Sequence, residues 1–292
     1  MTAPDRRALV AGGLAAGLGL GSARAAPAPP PPLAEPRRVV SLNPCLDVIL
    51  AHVADRNRIV ALSHYSRDRY GSTIADIART LPFTYGTAEE VIALEPDLVL
   101  TGRPSPPSLL NTLDRVGIRT LPFSVPETVA DSLAQVREVS ALVGRPDRGE
   151  AVVRRIEAAL AAAAPLPGTR RVSALVFMPG GFASGPGTLM DEMMRRAGLD
   201  NVIARYGLRG SANVPLEFVI ADPPELLLSG EPSRGLPSRA QRVMEHPALA
   251  RVAGGMERAV FPERLLFCGG PVLIQTAAAL SLARDAALAR PA

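Results

Sequence analysis

The sequence predicts an α/β protein of two lobes joined by one long helix, with a ligand cleft between the lobes. Three observations carry this. Short β-rich runs alternate with helical patterns along the chain. An alanine-rich helical tract occupies the middle. One helix–turn–strand block occurs twice, once on each side of that tract.

Taken in order, Arg38-Val39-Val40-Ser41-Leu42 reads as a first strand, followed by an apolar helix from Pro44. Arg58 to Leu62, Leu98 to Leu100 and Thr120 to Phe123 read as further strands. A helical tract then runs from Glu127 to Ala164, broken near Gly144-Arg145-Pro146. Beyond Pro165-Leu166-Pro167-Gly168 the alternation resumes: a strand over 171–177, a helix over 188–196, a strand over 226–228 and a terminal helix from Val272. The repeated block aligns Glu89 to Gly102 with Glu217 to Gly230 without a gap, and eight of its fourteen positions are identical. This places the N-terminal lobe at 37–145, the bridging helix at 146–165 and the C-terminal lobe at 166–292.

Residues 1–25 read as an export signal. Asp5-Arg6-Arg7 leads into an uncharged apolar run, Leu9 to Leu20, too short to span a bilayer, and Ala23-Arg24-Ala25 supplies a cleavage pattern. The arginine pair resembles a twin-arginine signal, and Arg24 favours that route over general secretion. Residues 26–36 read as a proline-rich spacer. The 292 residues carry a formal charge of +4. Removing 1–25 leaves 29 arginines against 27 acids, and the chain has no lysine. Aromatics make up 4% of the chain and no basic run reaches five residues, so nucleic-acid binding has no support. No later apolar stretch reaches the length of a membrane span, which predicts a soluble mature chain.

Catalytic patterns are also missing. The glycine-rich Pro179 to Thr188 lacks the lysine of a P-loop and does not read G-x-S-x-G. His52, His64 and His246 have no zinc-hydrolase spacing. The expectation is a protein without enzyme activity or cofactor.

Several motifs together resemble a known family. They are Arg-Val-Val-Ser-Leu-Asn-Pro at 38–44, Ile59 to Leu62 with Ser63-His64-Tyr65-Ser66 after it, and Glu-x-Val-Ile-Ala-Leu-x-Pro-Asp-Leu-Val at 89–99. Gly185-Pro186-Gly187-Thr188-Leu189, Ala197 to Asn201 and the second Glu-x-Val-Ile-Ala block complete the set. The chain, over about 37–290, is similar to the periplasmic binding proteins of ABC importers for ferric siderophores and cobalamin. The resemblance implies two α/β lobes bridged by one long rigid helix. It further implies a monomeric periplasmic receptor that delivers a metal chelate to an inner-membrane ABC permease. Glu89 and Glu217 match the family's two permease-docking carboxylates, and Tyr65 matches an aromatic lining the cleft of cobalamin-binding members. A free metal-ion receptor and a periplasmic sensor or scaffold of the same architecture are the alternatives.

Loops that follow strands nominate the cleft residues: Asn43, Cys45, Tyr65, Arg67, Arg103, Phe182, Arg205 and Tyr206. Arginine forks suit anionic chelates. The missing tryptophan leaves tyrosine, phenylalanine and aliphatic side chains to support a large ligand. Cys45 and Cys268 stand at strand-to-helix transitions in opposite lobes. Three readings stay open for them: a disulfide, thiolate coordination of a soft metal with His64, and two separate buried thiols. Thr87-x-x-Glu90 reads as a capping box that occupies Glu90 and leaves Glu89 free.

Overall fold

The structure, a computed structural model, describes residues 35–103, 105–231 and 246–290. The export signal expected at 1–25, and all but the last two residues of the expected spacer, lie outside the described residues.

Continuous apolar runs build the first sheet. Val39–Ser41 (β1), Ile59–Ser63 (β2), Phe83–Thr84 (β3), Leu98–Gly102 (β4) and Thr120–Phe123 (β5) run parallel in the spatial order β3-β2-β1-β4-β5. Val39, Val40, Leu98, Val99 and Leu100 are fully buried, as strands covered by helices on both faces must be. The connecting helices are Pro44–Val53 (α1), Ala75–Ala78 (α2), Ala88–Ala93 (α3), Pro107–Arg115 (α4) and Val129–Leu142 (α5). Thr128 and Asp131 close a reciprocal capping box that starts α5. Gly144, at φ 69°, ends that run in a left-handed turn.

Pro146–Ala163 (α6) then leads to the second half of the chain. Its buried residues, Gly149, Val152, Val153, Ile156, Leu160 and Ala163, form one stripe at helical spacing. At Gly149 a Cβ would stand 1.9 Å from Ser140 Oγ, so glycine is what lets α5 and α6 approach. Asp55 holds the start of α6 by accepting from Arg145 and from Arg148 at 2.9 Å. Arg284 holds its end, donating to the carbonyls of Ala163 (2.8 Å) and Ala197 (2.9 Å).

The second half comprises Val172–Phe177 (β6), Phe182–Ser184 (β7), Leu189–Arg196 (α7), Leu199–Asn201 (β8) and Ser211–Asn213 (β9). Leu216–Ala221 (α8), Leu226–Ser229 (β10), Pro247–Val252 (α9), Glu257–Val260 (β11) and Val272–Leu288 (α10) complete it. Its sheet is parallel, in the order β11-β10-β6-β8, and β7 pairs antiparallel with β9 beside it. Without β3, the first sheet reads β2-β1-β4-β5 and the second reads β8-β6-β10-β11. In each, the first strand is central and the repeated block supplies its neighbour.

The repeat also explains its own acid. Asp97, just before β4, accepts from the amides of Arg37 (2.7 Å) and Arg38 (3.0 Å) at the foot of β1. Its counterpart Glu225, just before β10, accepts from the Ser173 amide (2.9 Å) near the foot of β6. Each acid pins the central strand of its sheet. One apolar cluster includes Val39 and Leu98 of the first sheet, Val153 and Ile156 of α6, and Val172 and Leu226 of the second sheet. Both lobes therefore share a core around the connecting helix. Among the described residues no helix is long and apolar enough to cross a membrane.

Candidate functional site

Parallel strands end on one edge of each sheet, and the loops from both carboxyl edges meet in a trough. Its floor is covalent. Cys45, at the start of α1, and Cys268, ahead of α10, are joined in a disulfide with their Cα atoms 5.0 Å apart. The same seam carries two hydrogen bonds: the Gly270 amide donates to Ser132 Oγ (2.6 Å), and the Val129 amide donates to Glu192 Oε2 (2.8 Å).

The first lobe exposes an aromatic cluster at the end of β2. Tyr65 leaves the end of β2 and is 61% exposed. Its ring lies 3.9 Å from that of His64, which lies 4.8 Å from Tyr85, and Tyr85 meets Phe83 edge-on at 5.5 Å. In the second lobe, Phe182 and Phe267 lie 5.8 Å apart. With Leu189, Met190 and Leu266, and with Val125 and Pro126 of the first lobe, they line a largely apolar cavity of about 340 Å³. At the other end a second cavity, about 430 Å³, lies between Arg69, Tyr70 and Asp76 on one side and Glu231, Arg264 and Gln275 on the other.

Of the nominated residues, Phe182 lines the apolar cavity, Cys45 is held in the disulfide at the seam, and Tyr65 is exposed at the end of β2. Asn43 is at the trough but occupied: its Oδ1 caps α1, accepting from the amides of Cys45 (2.9 Å) and Leu46 (3.2 Å). Arg67 is occupied too. Its guanidinium stacks 4.2 Å over the Phe83 ring and donates to the carbonyls of Ala78 (3.4 Å) and Arg79 (3.2 Å). Arg103 is exposed on a neighbouring depression of about 540 Å³, which shares Val125, Pro126 and Glu127 with the apolar cavity.

Arg205 and Tyr206 require a correction. They sit against α8, away from the trough. Arg205 pairs with Asp222 at 3.2 Å, and Tyr206 donates to the Asp222 carbonyl (2.7 Å) and lies 5.8 Å from Phe218. Burial, with Asp222 nearby, pushes the Tyr206 phenol up to about 12. The reason is strand length. β8 ends opposite Ala174, three residues short of the end of β6, so the loop after it starts below the carboxyl rim.

Sequence reasoning missed Tyr70, Phe83, Tyr85, Phe267, Arg69 and Arg264. A compositional signal pointed to the aromatics. The chain has only four tyrosines and seven phenylalanines, and six of these eleven stand in or beside the trough.

A family model described as periplasmic binding protein matches residues 39–261. The chain belongs to that family. Among similar solved structures, the periplasmic heme-binding protein RhuT from Roseiflexus sp. RS-1 is 24% identical and superposes with a TM-score of 0.71, covering 86% of this chain and 99% of the other. A periplasmic heme-binding protein from Pseudomonas aeruginosa is 25% identical with a TM-score of 0.66, over 85% of this chain and 92% of the other. A cobalamin-binding protein of Halobacterium salinarum is 22% identical over 222 residues, 75% of this chain. The match spans 60% of that relative's length.

In this periplasmic binding protein the repeated glutamates differ from their neighbours. Glu89 and Glu217 are exposed in the first turns of α3 and α8, and neither carboxylate makes a hydrogen bond or ion pair among the described residues. Glu90, by contrast, accepts from Thr84 Oγ1 (2.5 Å) and the Tyr85 amide (2.7 Å), and these bonds hold it below the usual carboxylate range. Thr87 does cap the helix, accepting from the Glu90 amide (3.2 Å). The return bond of a capping box is replaced by the one to Thr84, which ties α3 to β3.

Asp47 of α1 is fully buried, and burial pushes its carboxyl up to about 7 despite bonds from Ser63 and Ser66. Between pH 4 and 7 the folded protein thus holds a proton here that the unfolded chain has released, so this group's contribution to stability falls as pH rises. The expected size across that window is about 4 kcal/mol, from roughly three pH units at ~1.4 kcal/mol each. Denaturant unfolding of wild type and Asp47→Asn from pH 4 to 8 checks it. The stability difference must move in the variant's favour with rising pH, and a constant difference refutes the assignment.

Proposed function

We propose that this chain is the periplasmic substrate-binding component of an ABC importer and that its cargo is a tetrapyrrole metal chelate. One observation carries the reading: Phe182 and Phe267 line an apolar cavity between the lobes. An exposed aromatic cluster headed by Tyr65 on the first lobe, and a second cavity bearing Arg69 and Arg264, support it. A flat chelate with apolar faces and anionic edge groups fits such surfaces. The phenol of Tyr65 offers a hard oxygen donor to a ferric centre, and Arg69 and Arg264 offer forks for carboxylates in exchange for their pairs with Asp76 (3.5 Å) and Glu231 (3.1 Å). The heme- and cobalamin-binding relatives support the same class of cargo. Glu89 and Glu217 are then the points that meet the permease.

The bare-ion alternative finds less support, since among the described residues no three or more His, Cys, Asp or Glu side chains converge to hold an ion. The disulfide also occupies both cysteine sulfurs.

Calorimetry and absorbance titration of the purified protein with hemin, cobalamin and a ferric siderophore test the proposal. Hemin or cobalamin is expected to bind at micromolar affinity or tighter. Tyr65→Phe is expected to weaken hemin by tenfold or more and to change its absorbance bands. Binding of the siderophore alone would refute the tetrapyrrole reading, and an unaltered hemin spectrum in Tyr65→Phe would refute metal contact by the phenol.

A further inference from the structure

Beneath Tyr65 one carboxylate does an unusual amount of bonding. Asp47 is wholly buried, and a single oxygen, Oδ2, accepts from the Ser63 amide (3.0 Å), the Ser63 hydroxyl (2.6 Å) and the Ser66 hydroxyl (2.5 Å). Those donors bracket His64 and Tyr65. The other oxygen, Oδ1, is buried without a partner. Removing this carboxyl would orphan three buried donors of the turn, so Asp47 is committed to holding that turn.

The turn it grips cannot hold itself. His64–Arg67 is a single 3-10 turn whose preceding residue gives no side-chain cap. In such a turn successive side chains point about a third of a revolution apart. Drawing Ser66 fully inward therefore turns its neighbour Tyr65 outward, to 61% exposure. Asp47 also sits two residues after Cys45, on the helix whose first turn is covalently tied to the second lobe. The clamp thus references the Tyr65 wall to the floor of the trough.

We propose that Asp47 is a positioning residue for the cargo: by clamping the Ser63–Ser66 turn to α1, it sets where the Tyr65 hydroxyl stands over the trough. This rests on the reading of Tyr65 as a chelate contact, and it adds a residue that never touches the chelate. An aspartate suits the task because its Oδ2 remains an acceptor for the turn's donors in either protonation state.

Two measurements test it on the full-length mature protein. The first needs no ligand: hydrogen exchange of the Ser63 amide, whose acceptor is Asp47 itself. Asp47→Ala and the gentler Ser66→Ala are expected to speed exchange over 63–67 at least tenfold while β4 stays protected, and Asp47→Asn, which keeps an acceptor oxygen, is expected to restore protection. Unchanged exchange overturns the clamp, whatever the cargo. The second is a double-mutant cycle with hemin as probe. Ser66→Ala is expected to weaken hemin about tenfold in wild type and by less than twofold in Tyr65→Phe, because the clamp acts through that hydroxyl. Equal losses in both backgrounds overturn the positioning role and leave the cargo reading standing. If wild type binds neither hemin nor cobalamin, the cargo reading and this positioning role fall together, and altered exchange then marks the clamp as a purely structural device.

Discussion

Removing the Cys45–Cys268 disulfide is expected to lower the unfolding free energy by about 5 kcal/mol. The bond closes a loop across a sequence separation of 223 residues, and chain-entropy arithmetic for a loop of that size gives a value of this order. The effect is expected to arise mainly in the unfolded state. In the folded protein the seam keeps the Gly270–Ser132 and Val129–Glu192 hydrogen bonds and the shared apolar core. Gly269 and Gly270 reinforce it, because a Cβ on Gly269 would stand 2.5 Å from Ser132 Oγ and one on Gly270 2.9 Å from a carbon of Ile49. Guanidinium unfolding of the Cys45→Ala, Cys268→Ala double variant, compared with oxidised and reduced wild type, provides the measurement. Reduced wild type and the double variant are expected to coincide. A loss under 1 kcal/mol would mean that the denatured chain gains little freedom, and the loop argument would fail.

Reversing both exposed glutamates, Glu89→Arg with Glu217→Arg, is expected to abolish uptake while leaving cargo affinity within twofold of wild type. Each carboxylate begins a helix at the carboxyl edge of its sheet and lacks any partner of its own among the described residues. Reversal therefore breaks no contact inside the protein. At a permease that presents arginines, two charge-assisted contacts become two repulsions, and the complex loses both its orientation and its encounter rate. Single reversals are expected to give intermediate rates, because the remaining carboxylate still docks. Uptake of labelled cargo through the reconstituted permease, with calorimetry on the same variants, separates the two quantities. Normal uptake by the double variant would refute docking at these positions, and lost affinity would assign the glutamates to the cargo site.

The elements legible in the sequence share a physical property: each is long enough, or buried enough, for pattern to exceed noise. The apolar runs around Val39, Leu98, Leu175 and Leu227 are almost wholly buried, with Ser173 as the one polar residue inside them. The break at Gly144 was legible because Pro146 cannot continue a helix and glycine readily takes the left-handed turn found there. What escaped was short or marginal. β3 has two residues and β7, β8 and β9 three each, while β11 is an edge strand whose half-exposed Glu257 and Arg258 conceal it. The site errors have the same origin. Tyr65 follows a full-length strand and stands exposed at its end, whereas Arg205 and Tyr206 follow a strand that stops low, and sequence carries no height. Asn43 commits its Oδ1 to capping α1, and Arg67 donates to the end of α2. The cysteines stood at matching transitions, yet nothing in a one-dimensional spacing of that length shows that two sulfurs meet.

The crowding of tyrosines on one wall has a spectroscopic consequence. The chain has no tryptophan, and three of its four tyrosines, Tyr65, Tyr70 and Tyr85, are exposed in the first lobe at or beside the trough. Its ultraviolet emission therefore comes mostly from the surface on which cargo would rest. Energy transfer from those rings to a coloured guest would quench the protein's own light, so an unlabelled sample carries a built-in optical reporter of occupancy, and Tyr206, packed against α8, provides the residual signal that occupancy leaves behind.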